Sequence, residues 1–350
     1  MQRPPLLASY GGGHANIIAS MAHGLMAQGI NPTILGFTTG YRSLCRSGLR
    51  AHTVSMLIDG FEEEYQSYRK LAAPFLPASK HPDITVDEAL DYFSIGLRDL
   101  VQDVGETQAL GLMRAKGRKA FQPERTMRNF LQRLRPGCVI TTTSPRFELA
   151  LIRAARRLDI PTLAIADLYL QREREWVLSG EYAEHLCVLD DALRDDLLET
   201  GLPEGMTVHV TGNPAFDKLL AIGRNPGKRD ELRRQLGVGE RRLILWPAAP
   251  VQRADFSDRS FASPAQVANV FDRLCETVPD YAYMLRPHPN GPFELPASSR
   301  HGMLDPGLAP EEALIASDIV CFEVSTMGLQ ASLLGLPVIC VGFPEIAVFP

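Results

Sequence analysis

The chain has 350 residues, of which 45% are hydrophobic and 22% are charged, and its formal net charge is −5. A length of this order predicts about two domains, and the composition is that of an ordinary globular protein with enough apolar residues for two cores. The negative net charge excludes a general nucleic-acid binder.

The sequence predicts neither a membrane span nor a disulfide framework. It contains no run of about 18 apolar residues, and the segment after Met1 lacks the long apolar stretch of a signal peptide. The six cysteines form no CxxC pair, and several lie in apolar runs, which predicts buried free thiols and no zinc site. We therefore expect a cytoplasmic protein.

In the first half of the chain, short apolar runs alternate with helical stretches, a pattern typical of parallel sheets covered by helices. A strand is predicted at residues 6–10, and the helix after it carries apolar residues at helical spacing until Gly29. Residues 60–135 are predicted to be mostly helical. The other predicted strands of this half are residues 32–37, 139–142, 162–166, 186–189 and 208–211.

The second half repeats this alternation. Its predicted strands are residues 242–247, 282–285, 318–322 and 338–341. The segment 223–228, rich in Gly and Pro, is predicted to be a hinge. The sequence thus predicts an α/β fold with two Rossmann-like domains, residues 1–222 and 223–350, whose parallel sheets face each other across a cleft.

A glycine-rich turn, Gly11-Gly12-Gly13-His14, follows the first predicted strand and opens a helix. Glycines let the backbone approach a ligand closely, and the helix N-terminus offers unpaired N–H groups, so Gly12 and Gly13 are candidate binding residues. The turn matches neither GxGxxG nor the Walker motif, so it does not predict a dinucleotide or ATP. The alternative is a tight βα turn in which His14 caps or packs.

Asp167 follows the predicted strand 162–166. Ligands bind at the carboxyl ends of the strands in open parallel sheets. A carboxylate there takes a proton from an acceptor hydroxyl or holds a sugar hydroxyl. Asp167 is therefore the first candidate for a catalytic base and His14 the second, while helix capping by Asp167 is the alternative.

Two loops of the second half carry the remaining candidates. In Arg286-Pro287-His288-Pro289-Asn290, two prolines stiffen the loop, so that Arg286 suits a phosphate and His288 a phosphate or ribose. In the turn 323–330, Ser325 and Thr326 begin a helix and are predicted to seat a pyrophosphate, with Glu323 on the ribose. Plain N-capping by Ser325 is the alternative.

A basic stretch runs from Arg114 to Arg135, with Glu124 as its only acid. It could face an anionic acceptor or the surface of a membrane, and a solvated helical face is the alternative. Ser144 lies outside any GxSxG motif, so a polar turn is expected there. No metal-binding motif is present, and no metal is expected.

These motifs together resemble the GT-B superfamily of glycosyltransferases and the related UDP-N-acetylglucosamine 2-epimerases. The glycine-rich turn resembles the first turn of these enzymes, and Val208–Asp217 resembles the VTGN…D segment of the epimerases. Residues 325–331 and 335–338 resemble the nucleotide-phosphate loop and the strand after its helix. The resemblance implies an acceptor domain followed by a nucleotide-sugar domain. The chain stops at Pro350, whereas GT-B proteins usually continue with further helices, so we expect either a minimal C-terminal domain or one that is cut short at its C-terminus.

A second resemblance concerns the GT-B sialyltransferases and Kdo transferases, which use CMP-sugars. The His-Pro pair at His288 and the Ser325-Thr326 pair are similar to their motifs, whereas their acidic motif is matched only by Ile58-Asp59-Gly60 or by Asp167. The epimerases also carry a His-containing segment where this chain has residues 247–250 without histidine. Group transfer therefore ranks above epimerisation.

The resulting prediction is a metal-independent glycosyltransferase that needs no cofactor. Its donor is a nucleotide-sugar, with UDP favoured, and its acceptor is a cell-envelope or polysaccharide carbohydrate or a lipid-linked one. The alternatives are a 2-epimerase or nucleotide-sugar hydrolase, a CMP-sugar transferase and a non-catalytic nucleotide-sugar binding protein. The predicted binding residues are Gly12, Gly13, Arg286, His288, Glu323, Ser325, Thr326, Gly328 and Gln330.

Overall fold

The computed structural model of the protein describes residues 3–77, 81–223, 226–249, 263–288, 291–323 and 325–341. The chain separates into Met1–Ala215 and Phe216–Pro350, which we call the first and the second unit. Each unit is built on a parallel β-sheet accompanied by helices, which confirms the α/β class with two Rossmann-like halves.

The first unit contains a six-stranded sheet. Its strands are β1 Leu6–Ser9, β2 Thr33–Gly36, β3 Val139–Thr142, β4 Thr162–Ile165, β5 His185–Val188 and β6 Thr207–Val210. They lie in the order β2-β1-β3-β4-β5-β6, and all neighbours run parallel. The chain leaves β1 for β2 on one side and returns to β3 on the other. The strand order therefore reverses between β1 and β3, and ligands of open parallel sheets bind beside such a reversal.

Helices of the first unit cover both faces of this sheet, because its central strands are apolar on both sides. Leu6 and Ala8 lie in one core cluster together with Phe147, whereas Leu7 lies in the other with Ile17, as expected from the alternation of side chains along a strand. The helices are α1 Gly13–Ala27, α2 Thr39–Arg46, α3 Glu62–Ala72, α4 Val86–Val104, α5 Glu106–Lys116, α6 Glu124–Leu134, α7 Phe147–Arg156, α8 Arg174–Val177 and α9 Asp191–Thr200.

The second unit contains a five-stranded parallel sheet in the order β11-β10-β7-β8-β9. Its strands are β7 Arg242–Pro247, β8 Tyr281–Arg286, β9 Gly302–Leu304, β10 Ile319–Phe322 and β11 Val338–Cys340. Its helices are α10 Asp217–Gly223, α11 Pro226–Leu236, α12 Pro264–Thr277, α13 Pro310–Ala316 and α14 Thr326–Leu333. Among the strands of the described ranges, β9 is the one that the sequence did not predict.

The helices on either side of the predicted hinge, α10 and α11, belong to the second unit. Leu219 of α10 is buried in the core of that unit, together with Leu243. In α11, Arg229 and Arg233 donate to the two carboxylate oxygens of Asp318 at 2.6 and 2.9 Å. The two units separate after Ala215, ahead of α10. Residues 224 and 225 of the predicted hinge lie outside the described residues, so the hinge stays a prediction.

Two glycines of the first unit differ in the space around them, so replacing each with alanine should change the stability of the protein in opposite directions. At Gly36 a new Cβ would overlap the backbone of Tyr41, whereas at Gly24, exposed in α1, it would meet nothing within 4 Å. We expect Gly36→Ala to destabilise the protein by about 1–3 kcal/mol through overpacking. Gly24→Ala, the matched control, is expected to stabilise it by about 0.5–1 kcal/mol. Thermal unfolding measures both, and equal melting temperatures for the two variants would contradict the close packing at Gly36.

Candidate functional site

Backbone strain collects at the carboxyl edge of the first sheet. Only a minority of non-glycine residues adopt a positive φ, and such residues cluster at functional sites. Thr38 follows β2 with a φ of 52°, Arg146 follows β3 with 67° and Leu170 follows β4 with 54°, while Gly12 after β1 has a φ of 70°. Four neighbouring strands thus end in unusual turns at one edge, beside the reversal of strand order.

His14 and Asp167 lie together at this edge. The distance between His14 Nε2 and Asp167 Oδ2 is 3.8 Å, and the side chains are 26% and 30% exposed. Asp167 Oδ1 accepts from the backbone N–H of Leu168 at 2.9 Å, and Asn213 Nδ2 donates to the Asp167 carbonyl at 2.9 Å. These bonds fix the loop after β4, so that one carboxylate oxygen faces the imidazole. The structure therefore brings the two candidate bases side by side.

Glu148, in the first turn of α7, is a buried carboxylate that sequence reasoning missed. Its Oε1 accepts from the backbone N–H of Tyr10 at 2.8 Å, and its Oε2 accepts from Thr142 Oγ1 at 2.6 Å. Burial raises the pKa of Glu148, and the nearby His14 acts in the opposite direction. The carboxylate thus joins the ends of β1 and β3 beneath the candidate site. The only signal in the sequence was an acid within an apolar helix.

Arg146 stands immediately before α7, and its guanidinium carbon lies 4.9 Å from the centroid of the Tyr10 ring. The Tyr10 hydroxyl is 2.8 Å from the Tyr92 hydroxyl. Arg146 Nε and Thr143 Oγ1 are both buried and have no hydrogen-bond partner among the described residues. The polar turn that the sequence predicted after β3 therefore contains hydrogen-bonding groups that the fold itself does not use.

In the second unit, Ser325 caps α14, because its side chain accepts from the backbone N–H of Met327 at 3.2 Å. Thr326 is the exposed first residue of that helix, and Gln330 is half-buried within it. Gly328 has a packing role, since a Cβ there would overlap the ring of Phe322. The predicted strand and helix, β10 and α14, are present, Val324 between them lies outside the described residues, and the Ser325 hydroxyl already caps the helix.

Arg286 is held by an ion pair that the sequence did not predict. Its Nη1 donates to the carboxylate of Asp305 and, at 2.9 Å, to the carbonyl of Leu308. Asp305 also accepts from the backbone N–H groups of Gly307 and Leu308 at 2.9 and 2.8 Å. Arg286 therefore stabilises the loop after β9 through Nη1, and its contact with a phosphate stays a prediction.

The loop that carries His288 is described only in part. The carbonyl of His288 accepts from the backbone N–H of Gly291 at 2.8 Å, while residues 289 and 290 lie outside the described residues. Glu323, after β10, is half-buried, and its carbonyl oxygen lies 3.9 Å from Cys340 Sγ. Both residues follow strands of the second sheet, as the sequence predicted.

Some arginines of the basic stretch form ion pairs or hydrogen bonds within the first unit. Arg125 pairs with Asp103 at 2.9 Å, and Arg133 donates to the carbonyl of Leu57 at 2.8 Å. Its exposed members at the end of α5 and beyond are Arg114, Lys116, Arg118 and Lys119.

Among the described residues, no group of three or more His, Cys, Asp or Glu is arranged to hold a metal ion. Within the same ranges, no helix has the length and apolar character needed to cross a membrane.

Comparison with known proteins identifies the fold. No protein-family model matches the sequence, and no curated protein matches it. The UDP-GlcNAc 2-epimerase from Neisseria meningitidis, solved with UDP-GlcNAc, is 13% identical with a TM-score of 0.58, over 96% of this chain and 82% of that chain. The glycosyltransferase SnogD from Streptomyces nogalater is 13% identical with a TM-score of 0.53, over 99% and 83%.

The chain has the GT-B fold. The UDP-GlcNAc 2-epimerase from Methanocaldococcus jannaschii, in complex with UDP-GlcNAc and UDP, gives a TM-score of 0.57 at 14% identity, over 97% of this chain and 83% of that chain. This confirms the GT-B resemblance predicted from the sequence. At such identities the similarity concerns the fold alone, since one fold supports many reactions.

Proposed function

We propose that the protein is a glycosyltransferase that moves a sugar from a nucleotide-sugar, with a UDP-sugar favoured, to a hydroxyl of a cell-envelope or polysaccharide acceptor. The observation that carries the proposal is the His14–Asp167 pair at the carboxyl edge of the first sheet. A GT-B fold supplies the context, because SnogD is a glycosyltransferase and the Neisseria epimerase was solved with UDP-GlcNAc.

In the proposed reaction, the acceptor hydroxyl attacks the anomeric carbon of the donor sugar. The new bond forms as the bond from that carbon to the phosphate oxygen breaks, and the nucleotide leaves with the electron pair. We propose His14, the second candidate base of the sequence, as the group that accepts the hydroxyl proton, with Asp167, the first candidate, beside it. General-base help contributes about 10²–10⁴ in rate. His288 and Thr326, with the N–H groups that begin α14, would stabilise the leaving phosphates without a metal, and Glu323 would bind the ribose.

A second candidate is a UDP-GlcNAc 2-epimerase or a nucleotide-sugar hydrolase. It is supported by the UDP-GlcNAc 2-epimerases among the similar structures, two of which were solved with UDP-GlcNAc. These reactions need no acceptor sugar. Release of nucleotide, or change of the donor sugar, at full rate without acceptor would favour this candidate, whereas a strict dependence on acceptor supports transfer.

The first test of the proposal is ligand-induced thermal stabilisation. UDP, CMP, GDP, dTDP and CDP are compared at equal concentration, and a ligand at about 100 times its dissociation constant adds about 2.7 kcal/mol of stability. We expect UDP to raise the melting temperature of the wild type, and this shift to disappear in the double variant Ser325→Ala/Thr326→Ala. A shift with CMP alone would instead support a CMP-sugar transferase.

Loss of the Ser325 cap by itself costs about 1 kcal/mol, so a matched control is needed. Ser263 provides it, because its side chain caps α12 in the same unit and accepts from the Gln266 N–H at 3.3 Å. Ser263→Ala is expected to lower the ligand-free melting temperature similarly while keeping the full UDP shift. Wild-type protein that responds to no nucleotide would refute the proposal. Binding without turnover in any acceptor mixture would leave a non-catalytic binding protein.

A further inference from the structure

Arg146 occupies a backbone conformation that favours glycine. Its φ of 67° and ψ of −110° precede α7 directly, where glycine would be free of strain. An arginine kept in such a conformation needs a benefit from its side chain. The ring of Tyr10 accounts for one face of the guanidinium, at 4.9 Å. The role of Arg146 therefore depends on what the remaining groups of its guanidinium contact.

The positive charge of Arg146 has no carboxylate partner among the ion pairs of the described residues. Glu148, the nearest acid in sequence, is occupied by the N–H of Tyr10 and the hydroxyl of Thr142. After its burial, the groups that act on Arg146 are the hydroxyls of Tyr10 and Tyr92, both electrostatically and through side-chain hydrogen bonds. A half-buried guanidinium without an anion is unusual, because buried charges are normally paired.

Unused hydrogen-bonding groups surround the same turn. Thr143 is 0% exposed, and its Oγ1 has no partner among the described residues, nor has Arg146 Nε. His14 Nδ1, across the edge of the sheet, is also buried without one. Buried polar atoms are nearly always paired in native proteins, so a cluster of unpaired ones points to a ligand.

We propose that Arg146 and Thr143 bind an oxyanion, a carboxylate or a phosphate, carried by the acceptor substrate. Arginine is suited to oxyanions, since its planar guanidinium donates parallel hydrogen bonds to two oxygens. The turn follows β3, and β3 lies between the strands that lead to His14 and Asp167. The acceptor would thus be an anionic sugar or sugar phosphate, held with its hydroxyl at the base. This inference rests on the proposed function.

The test titrates inorganic phosphate, and separately acetate, against the thermal stability of the full chain at constant ionic strength. The test variant is Arg146→Gly, which suits the local backbone and removes only the side chain. The matched control is Arg135→Gly, because Arg135 also has a positive φ, 50°, at the end of α6 and is exposed. The anion that raises the melting temperature more, phosphate or acetate, shows whether a phosphate or a carboxylate is the recognised group.

We expect at least one of the two anions to stabilise the wild type and Arg135→Gly, and to bind Arg146→Gly at least tenfold more weakly. The UDP shift is expected to be unchanged in Arg146→Gly. Equal anion shifts in all three proteins, or no anion shift in the wild type, would overturn the inference while leaving the proposed function intact. Loss of the anion shift in the presence of UDP would also overturn it, because the anion would then occupy a donor-phosphate site. An Arg146-dependent anion shift without any nucleotide shift would instead refute the proposed function.

Discussion

Replacing His14 with alanine is expected to lower kcat/KM for sugar transfer by about 10²–10⁴, the usual contribution of a general base. The nucleotide-induced thermal shift should remain, because His14 belongs to the first unit and the proposed phosphate site to the second. His23→Ala is the matched control, since His23 is an exposed histidine of the same helix, α1, and should stay within a few-fold of wild type. Transfer is measured as nucleotide released in excess acceptor.

Asp167→Asn tests the partner of His14. Asparagine keeps an oxygen to accept from the Leu168 N–H, so the loop is preserved while the negative charge is lost. We expect a loss of rate comparable with that of His14→Ala. Residues that act as one unit are non-additive, so the double variant should be little slower than either single one. Activity of Asp167→Asn within a few-fold of wild type, or additive losses in the double variant, would contradict a shared role.

The strands of the fold were largely predictable because they are buried runs with a clear local pattern. Residues 139–142 were predicted as a strand and form β3, and residues 242–247 form β7. The strand β9, Gly302–Leu304, was missed because it is three residues long and only half-buried, so it gives no apolar run. The spacing of apolar residues predicts an element that is itself buried. A short edge strand such as β9 forms because it pairs with its neighbour β8, and this pairing leaves no apolar pattern in the sequence.

The candidate site was predictable in position but not in its contacts. The turns after β1 and β4 were identified because parallel strands present their carboxyl ends at one edge, and His14 and Asp167 do meet there. The ion pair of Arg286 was missed because its partner Asp305 lies 19 residues further along the chain. Glu148 was missed because its acceptor role depends on Tyr10, 138 residues away. Such pairings follow from tertiary structure and leave little trace in one sequence.

Removing the buried carboxylate of Glu148 is expected to lower the unfolding free energy of the first unit substantially. Glu148→Ala would leave the Tyr10 N–H and the Thr142 hydroxyl without their acceptor, and each buried unsatisfied group costs about 1–3 kcal/mol. We expect a total loss of about 2–5 kcal/mol. Glu199→Ala, an exposed glutamate of α9, is the matched control and should change stability by less than about 0.5 kcal/mol.

Because the pKa of Glu148 is raised, the contribution of this residue to the unfolding free energy depends on pH, and the direction of the raised pKa gives the sign. Between the ordinary glutamate pKa of about 4.3 and the raised folded value, the folded protein binds more protons than the unfolded chain. The stability that Glu148 contributes is therefore fully present below that window and falls as the pH rises through it. The gap in unfolding free energy between wild type and Glu148→Ala should narrow with rising pH. Urea unfolding in a Trp246→Phe background, where Trp176 alone reports on the first unit, measures this gap. A gap that widens with pH would mean that the fold favours the ionised carboxylate, and the network around Tyr10 would then stabilise a charge at the edge of the site.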